Sequence, residues 1–130
     1  MILKVFTDGG SKGNPGPSSI GGVGHINDKK IFEFKKSIGI ATNNDAEYQA
    51  LIEAFQNILK LSPRPSKIEF YSDSRLMVNQ VKGLFKIKNG RIREYVLKIK
   101  GLEQEVNLPI TYSYVPREQN VEADLLVNSV

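Results

Sequence analysis

The chain predicts an α/β fold: a mixed five-stranded sheet, an antiparallel meander of three strands followed by parallel strands, flanked by helices. Three observations carry this. Two-residue alternation marks much of the first forty residues, and three- and four-residue apolar spacing takes over after Gly39. Strand-like and helical runs then alternate, the order expected when helical crossovers join parallel neighbours. With 130 residues, 40% of them apolar and 25% charged, residues 1–130 are expected to form a single domain with a substantial core.

Ile2 to Thr7 is a short apolar-rich run whose Val5 and Phe6 suit a strand. The cluster Asp8 to Pro17, dense in glycine and proline, is expected to break it into a long tight loop. Ser19 to Ile26 and Ile31 to Ile38 flank the polar Asn27-Asp28-Lys29-Lys30. The second run alternates Phe32, Glu33, Phe34 and Lys35 like a half-buried strand, so the pair predicts an antiparallel hairpin. Ala46, Ala50, Leu51, Ala54, Phe55, Ile58 and Leu59 then mark the apolar face of a helix that Asn43 or Asn44 can cap and Pro63 and Pro65 end. Lys67 to Ser72 reads as a strand and Ser74 to Lys82 as a short helix. After Gly83 and Asn89-Gly90, Ile92, Val96, Ile99 and Leu102 mark another amphipathic helix, stopping before Leu108-Pro109. Ile110 to Val115 alternates as a strand, Pro116 to Gln119 is a loop, and Asn120 to Val130 makes a short closing helix.

Composition narrows the chemistry. Cysteine and tryptophan are absent, which excludes a disulfide scaffold and thiolate metal sites and leaves oxygen ligands and the lone His25 for any metal. No apolar stretch approaches the roughly 20 residues that span a bilayer, and the chain start runs directly into patterned sequence; the expected address is cytoplasmic, without a membrane partner. A net charge of +4 favours anionic partners. Lys82, Lys86, Lys88, Arg91, Arg93, Lys98 and Lys100 face one acid, Glu94, in a stretch that suits either nucleic acid or a solvated helix face.

Four acids stand at positions that can carry chemistry. Asp8 follows the first strand, Asp73 follows the strand Lys67 to Ser72, Glu47 lies about one turn into the long helix, and Asp124 lies near the start of the last helix. Singly, each has an ordinary structural reading as a turn residue, an N-cap or a helix-dipole partner. Together they would repel by on the order of 4 kcal/mol per pair at roughly 4 Å and an effective dielectric of about 20. Bound cations make such a cluster tolerable, and hard oxygen ligands without Cys or paired His select Mg²⁺ or Mn²⁺. Two such ions suit phosphodiester hydrolysis.

Phe6-Thr7-Asp8-Gly9-Gly10 with Gly13-Asn14-Pro15-Gly16, Thr42-Asn43-Asn44-Asp45-Ala46-Glu47-Tyr48, Tyr71-Ser72-Asp73-Ser74, and Asn120-Val121-Glu122-Ala123-Asp124 resemble the four ordered blocks of the ribonuclease HI family. The resemblance implies a ribonuclease H-like fold and an endonuclease cutting the RNA strand of RNA/DNA hybrids with two Mg²⁺ ions. It implies that both ions share Asp8, that Glu47 and Asp73 complete one side and Asp124 the other, and that the products carry 5′-phosphate and 3′-hydroxyl ends. Selecting RNA requires contact with the 2′-hydroxyl; the backbone of Gly9, Gly10, Ser11 and Lys12 and the amide of Asn14 are placed for it. By the resemblance Thr42, Asn43 and Asn44 touch both strands, and Thr42 and Asn89 hold a DNA-strand phosphate. Asn79 is expected on the RNA side; Arg75 and Gln80 suit either that role or a plain surface helix. Arg117 stands where many relatives carry a loop histidine, His25 reads as a satisfied sheet residue, and Gly83 to Arg91 is too short for the basic protrusion of some relatives. A monomer without an obligate protein partner is expected. A same-fold nuclease acting on double-stranded RNA or DNA junctions, or a hybrid-binding module that does not cut, are the alternatives.

Overall fold

The computed structural model describes residues 1–83 and 86–130. Strands β1 (Ile2–Ser11), β2 (Gly16–Ile26) and β3 (Lys29–Ala41) lead into helix α1 (Asn43–Leu59) and strand β4 (Lys67–Ser72). Helices α2 (Arg75–Val81) and α3 (Gly90–Val106), strand β5 (Ile110–Tyr114), a single 3₁₀ turn (Arg117–Gln119) and helix α4 (Val121–Asn128) complete the chain. The sheet order is β3-β2-β1-β4-β5, with β1–β2 and β2–β3 antiparallel and β1–β4 and β4–β5 parallel. The mixed sheet is the predicted one.

Leu3, Val5, Ile68 and Phe70 project from one sheet face against Leu51, Phe55 and Ile58 of α1 and Ile99 and Leu102 of α3, forming the main core. The Phe55 and Phe70 rings meet at 4.8 Å between centroids. Burying each such side chain contributes roughly 1.5–3 kcal/mol, so α1 is fixed by packing more than by propensity. Helix α4 packs on β1 and β2. A Cβ on Gly21 would stand 2.8 Å from Leu126 Cβ and 3.0 Å from the Ala123 carbonyl, so only glycine lets α4 lie this close to the sheet. Among the described residues no helix is long and apolar enough to cross a membrane.

Three local expectations are corrected. The glycine cluster after Thr7 does not break the strand: β1 continues through Asp8↔Gly21, Gly9↔Ile20, Gly10↔Ser19 and Ser11↔Ser18, and the connection shrinks to residues 12–15. Gly39 likewise lies within β3, at φ +79° beside a register shift opposite Ser18 and Ser19. Thr42, not Asn43 or Asn44, caps α1: its hydroxyl accepts from Asp45 N–H at 3.0 Å while the Asp45 carboxylate accepts from Thr42 N–H at 3.1 Å. Residues 82–89 join α2 to α3; positions 84 and 85 of the stretch Gly83 to Arg91 lie outside the described residues.

Candidate functional site

Parallel pairing ends with Thr7 beside Ser72, so the next residues, Asp8 within β1 and Asp73 just past β4, emerge together where the two parallel strands part. Gly9 brings in the third acid. A Cβ there would stand 2.4 Å from both the carbonyl carbon and oxygen of Ala46 and 2.7 Å from Glu47 N, so glycine allows β1 to touch the backbone of α1. Its N–H donates to Glu47 Oε1 and to Asp8 Oδ1, both at 3.0 Å. One backbone donor therefore orients two carboxylates. Oxygens of Asp8, Glu47 and Asp73 lie within 4.8 Å of one another.

Asp124 comes from the opposite side of the sheet. Asn120 Nδ2 donates to the Thr7 carbonyl at 2.9 Å in a buried contact, and Asp124 N–H donates to the Asn120 carbonyl at 3.1 Å. This ties the first turn of α4 to the residue before Asp8. Asp124 lines the same cleft and acts on the Asp8 carboxyl, outside the three-carboxylate cluster.

Crowding perturbs the acids. Burial, the charge of Asp73 and the neighbouring Asp124 carboxyl push Asp8 up to about 8, against the lowering effect of Gly9 N–H. Burial and the charges of Asp8 and Asp73 raise Glu47 well above the usual carboxylate range. Asp73 is raised mainly by burial, with the Arg117 guanidinium opposing. That guanidinium lies on the cleft wall, 81% exposed, with Nε 3.8 Å from Asp73 Oδ2. The donors are all carboxylate oxygens, the set hard divalent cations prefer. Mg²⁺–oxygen distances of about 2.1 Å allow ligand oxygens up to about 4.2 Å apart, within a sub-ångström adjustment of the observed cluster. The residues fit such an ion.

The cleft, about 540 Å³, also takes Gly9, Gly10, Ser11 and Asn43 from the predicted set. Ser11 N–H donates to Asn43 Oδ1 at 2.8 Å and Asn43 N–H to Asn14 Oδ1 at 3.0 Å, which leaves the Asn14 amide to face outward contacts. Thr42, Asn44, Asn79 and Asn89 lie outside the cleft lining. Thr42 and Asn89 cap the first turns of α1 and α3, and Arg91 Nε joins those turns by donating to Asp45 Oδ1 at 2.7 Å. Gln80 is engaged inward, accepting from Tyr48 Oη at 2.7 Å. His25 is held on β2 by Glu122 at 2.9 Å, away from the cleft, as a satisfied sheet residue. Lys100 of the basic stretch turns inward to the Val81 carbonyl at 2.9 Å.

Lys12, expected beside Asp8, also lines the cleft, whereas sequence reasoning missed Ser19, Tyr114, Val127 and Asn128 of the cleft wall and the tie made by Asn120. Only Asn120 carried a local signal, as a capping residue type before a helix; Tyr114 arrives through its register with Ser72.

A family model described as "Reverse transcriptase-like" matches residues 6–130. The chain is 36% identical over 130 residues to a bifunctional protein of Mycobacterium tuberculosis strain H37Rv, covering 98% of this chain but only 35% of that protein. It is 35% identical over 127 residues to ribonuclease HI of Halobacterium salinarum, covering 97% of this chain and 62% of the relative. Among solved structures, LC11 RNase H1 in complex with an RNA/DNA hybrid superposes with a TM-score of 0.93 at 36% identity, over 98% of this chain and 95% of that one. RNase H1 of the halophilic archaeon Halobacterium salinarum superposes at 0.92 and 32% identity, over 99% and 96%.

Proposed function

Because the chain belongs to the ribonuclease HI family, we propose that it hydrolyses the RNA strand of RNA/DNA hybrids, with Asp8, Glu47, Asp73 and Asp124 holding two divalent ions. The observation that carries this reading is the convergence of Asp8, Glu47 and Asp73 oxygens within 4.8 Å just past the last pair of two parallel strands. Mg²⁺, or Mn²⁺, would supply Lewis acidity toward the phosphate and an acidified water. Asp8 would be shared by the two ions, Glu47 and Asp73 would complete one side and Asp124 the other, and the products would carry 5′-phosphate and 3′-hydroxyl ends.

The chain's own groups have distinct tasks. Gly9 N–H fixes the directions of Asp8 and Glu47. Asn120 holds the first turn of α4 against Thr7 of β1, and with it Asp124. The linked Ser11, Asn14 and Asn43 form the wall that meets the RNA strand, with the backbone of Gly9 and Gly10 beside Asp8, and Asn79 lies farther along that strand on α2. Thr42 and Asn89, on turns joined by Asp45 and Arg91, take the DNA strand, and Asn44 lies between the two groups. Arg117, next to Asp73 where by the resemblance many relatives carry a histidine, supplies fixed positive charge at the mouth instead of a group that gains and loses a proton near neutrality. A module that only bound nucleic acid would gain nothing from three clustered carboxyls facing phosphates.

The test is a panel of labelled RNA/DNA hybrid, RNA duplex and DNA duplex, incubated with Mg²⁺, Mn²⁺ or chelator. Hybrid cleavage that needs the ion is expected. Cleavage of the DNA duplex, preference for RNA duplex, or binding of hybrid without cleavage would each reject this reading.

A further inference from the structure

We infer that Arg75, held flat by Tyr114, is a phosphate-binding residue for the strand being cut, seating a backbone phosphate next to the scissile one; this rests on the hybrid-cleavage reading above. Tyr114 ends β5 opposite Ser72, the residue before Asp73, and its ring lines the carboxylate cleft while 41% exposed. The Arg75 guanidinium carbon lies 4.5 Å over the centroid of that ring. Arg75 opens α2 two residues after Asp73, and no carboxylate pairs with it among the described residues.

Stacking on an aromatic ring uses the face of a guanidinium and leaves its N–H edges free, and those edges match a phosphate bidentately. An exposed arginine without a partner normally samples many rotamers; the ring removes much of that freedom before any ligand arrives. The location gives the held charge a purpose. A polyanion must approach Asp8, Glu47, Asp73 and Asp124, and two cations offset that repulsion: Arg117 on the cleft wall and Arg75 against the Tyr114 ring that lines the cleft. Tyr114 is thus a positioning residue acting through Arg75.

The experiment measures binding of an RNA/DNA hybrid to the full chain by fluorescence anisotropy in chelator across a salt series, alongside Mg²⁺-dependent cleavage. Arg75→Ala is expected to bind about tenfold more weakly, the loss of one charge-assisted contact. Its slope of log affinity against log salt becomes shallower by about one. Arg75→Lys keeps the slope and recovers only part of the affinity, because an ammonium has no flat face to stack. Tyr114→Phe binds like the wild type; Tyr114→Leu weakens binding, and adding it to Arg75→Ala costs nothing more. In cleavage the changes fall on KM with kcat nearly unchanged, a split that a loosened fold would not give, and melting temperatures stay together. Wild-type affinity or an unchanged salt slope in Arg75→Ala, or a Tyr114→Leu loss that adds fully to that of Arg75→Ala, overturns the assignment while wild-type cleavage leaves the parent reading intact. A wild type that neither binds nor cuts hybrid overturns both.

Discussion

Replacing Asp8 with asparagine separates what the fold needs at this position from what the chemistry needs. Asp8 is 7% exposed, and burial, the charge of Asp73 and the neighbouring Asp124 carboxyl raise its pKa from 3.8 to about 8. Between those values the folded protein keeps a proton that the unfolded chain has released. The stability this group contributes is therefore fully present below pH 3.8 and is lost progressively as pH rises through about 8. At roughly 1.4 kcal/mol per pKa unit, the deficit reaches about 4 kcal/mol by pH 7 as an upper figure, since relaxation around the charge reduces it. Asparagine keeps an acceptor for Gly9 N–H in the same place and never ionises. Asp8→Asn is expected to raise stability in chelator at pH 7.5 by about 1–4 kcal/mol, a rise in Tm of roughly 5–15 °C for a chain of this size, while abolishing cleavage. Thermal denaturation from pH 4 to 8 reads the sign directly: the two curves converge toward pH 4. Saturating Mg²⁺ narrows the gap at neutral pH, because only the wild type gains a full site for the ion. A variant that melts with or below the wild type at pH 7.5 in chelator, or an advantage that persists unchanged at pH 4, would refute this reasoning.

Asp124 lies outside the cluster of three carboxylates, so Asp124→Asn should retain about tenfold more activity than Asp73→Asn, a ratio within the usual spread for catalytic groups; equal losses count against the division of roles. Gly9→Ala would drive a methyl group into the Ala46 backbone, so a loss of about 3 kcal/mol in urea denaturation and a fall in kcat together are expected. Near wild-type stability would mean that β1 and α1 are not in contact there. The charge of Arg117 lowers both Asp73 and Glu47, so Arg117→Ala raises both and moves the acid limb of the kcat/KM profile to higher pH. A limb that stays in place, measured from pH 5 to 8, contradicts the placement of that guanidinium.

What the sequence disclosed followed the range of the forces involved. Helix α1 was legible because Ala50, Leu51, Phe55 and Ile58 repeat along one stripe, and β4 because Ile68, Phe70 and Ser72 alternate inward. The acids were legible because each stands in a short polar signature beside an apolar run, although Asp8 lies inside β1 and not at its end. Asp8-Gly9-Gly10 was misread as a loop because glycine signals a turn locally, whereas Gly9 here serves a contact with Ala46, 37 positions away. The cap of α1 shifted from asparagine to Thr42 because the reciprocal Asp45 bond decides between adjacent capping types. Tyr114 and Ser19 reach the cleft only through strand register, and Asn120 through a buried bond to Thr7; pairings of that kind leave no trace in nearby sequence.

The most direct test of the central claim uses a hybrid carrying separate labels on its RNA and DNA strands, digested by wild type and by Asp8→Asn while Mg²⁺ is titrated against chelator, with the new ends identified. The carboxylate site predicts shortening of the RNA label alone, 5′-phosphate and 3′-hydroxyl ends, dependence on the ion, and no cleavage by Asp8→Asn. Scission of the DNA strand, ends of the opposite polarity, or RNA cleavage that survives chelator or Asp8→Asn would contradict it.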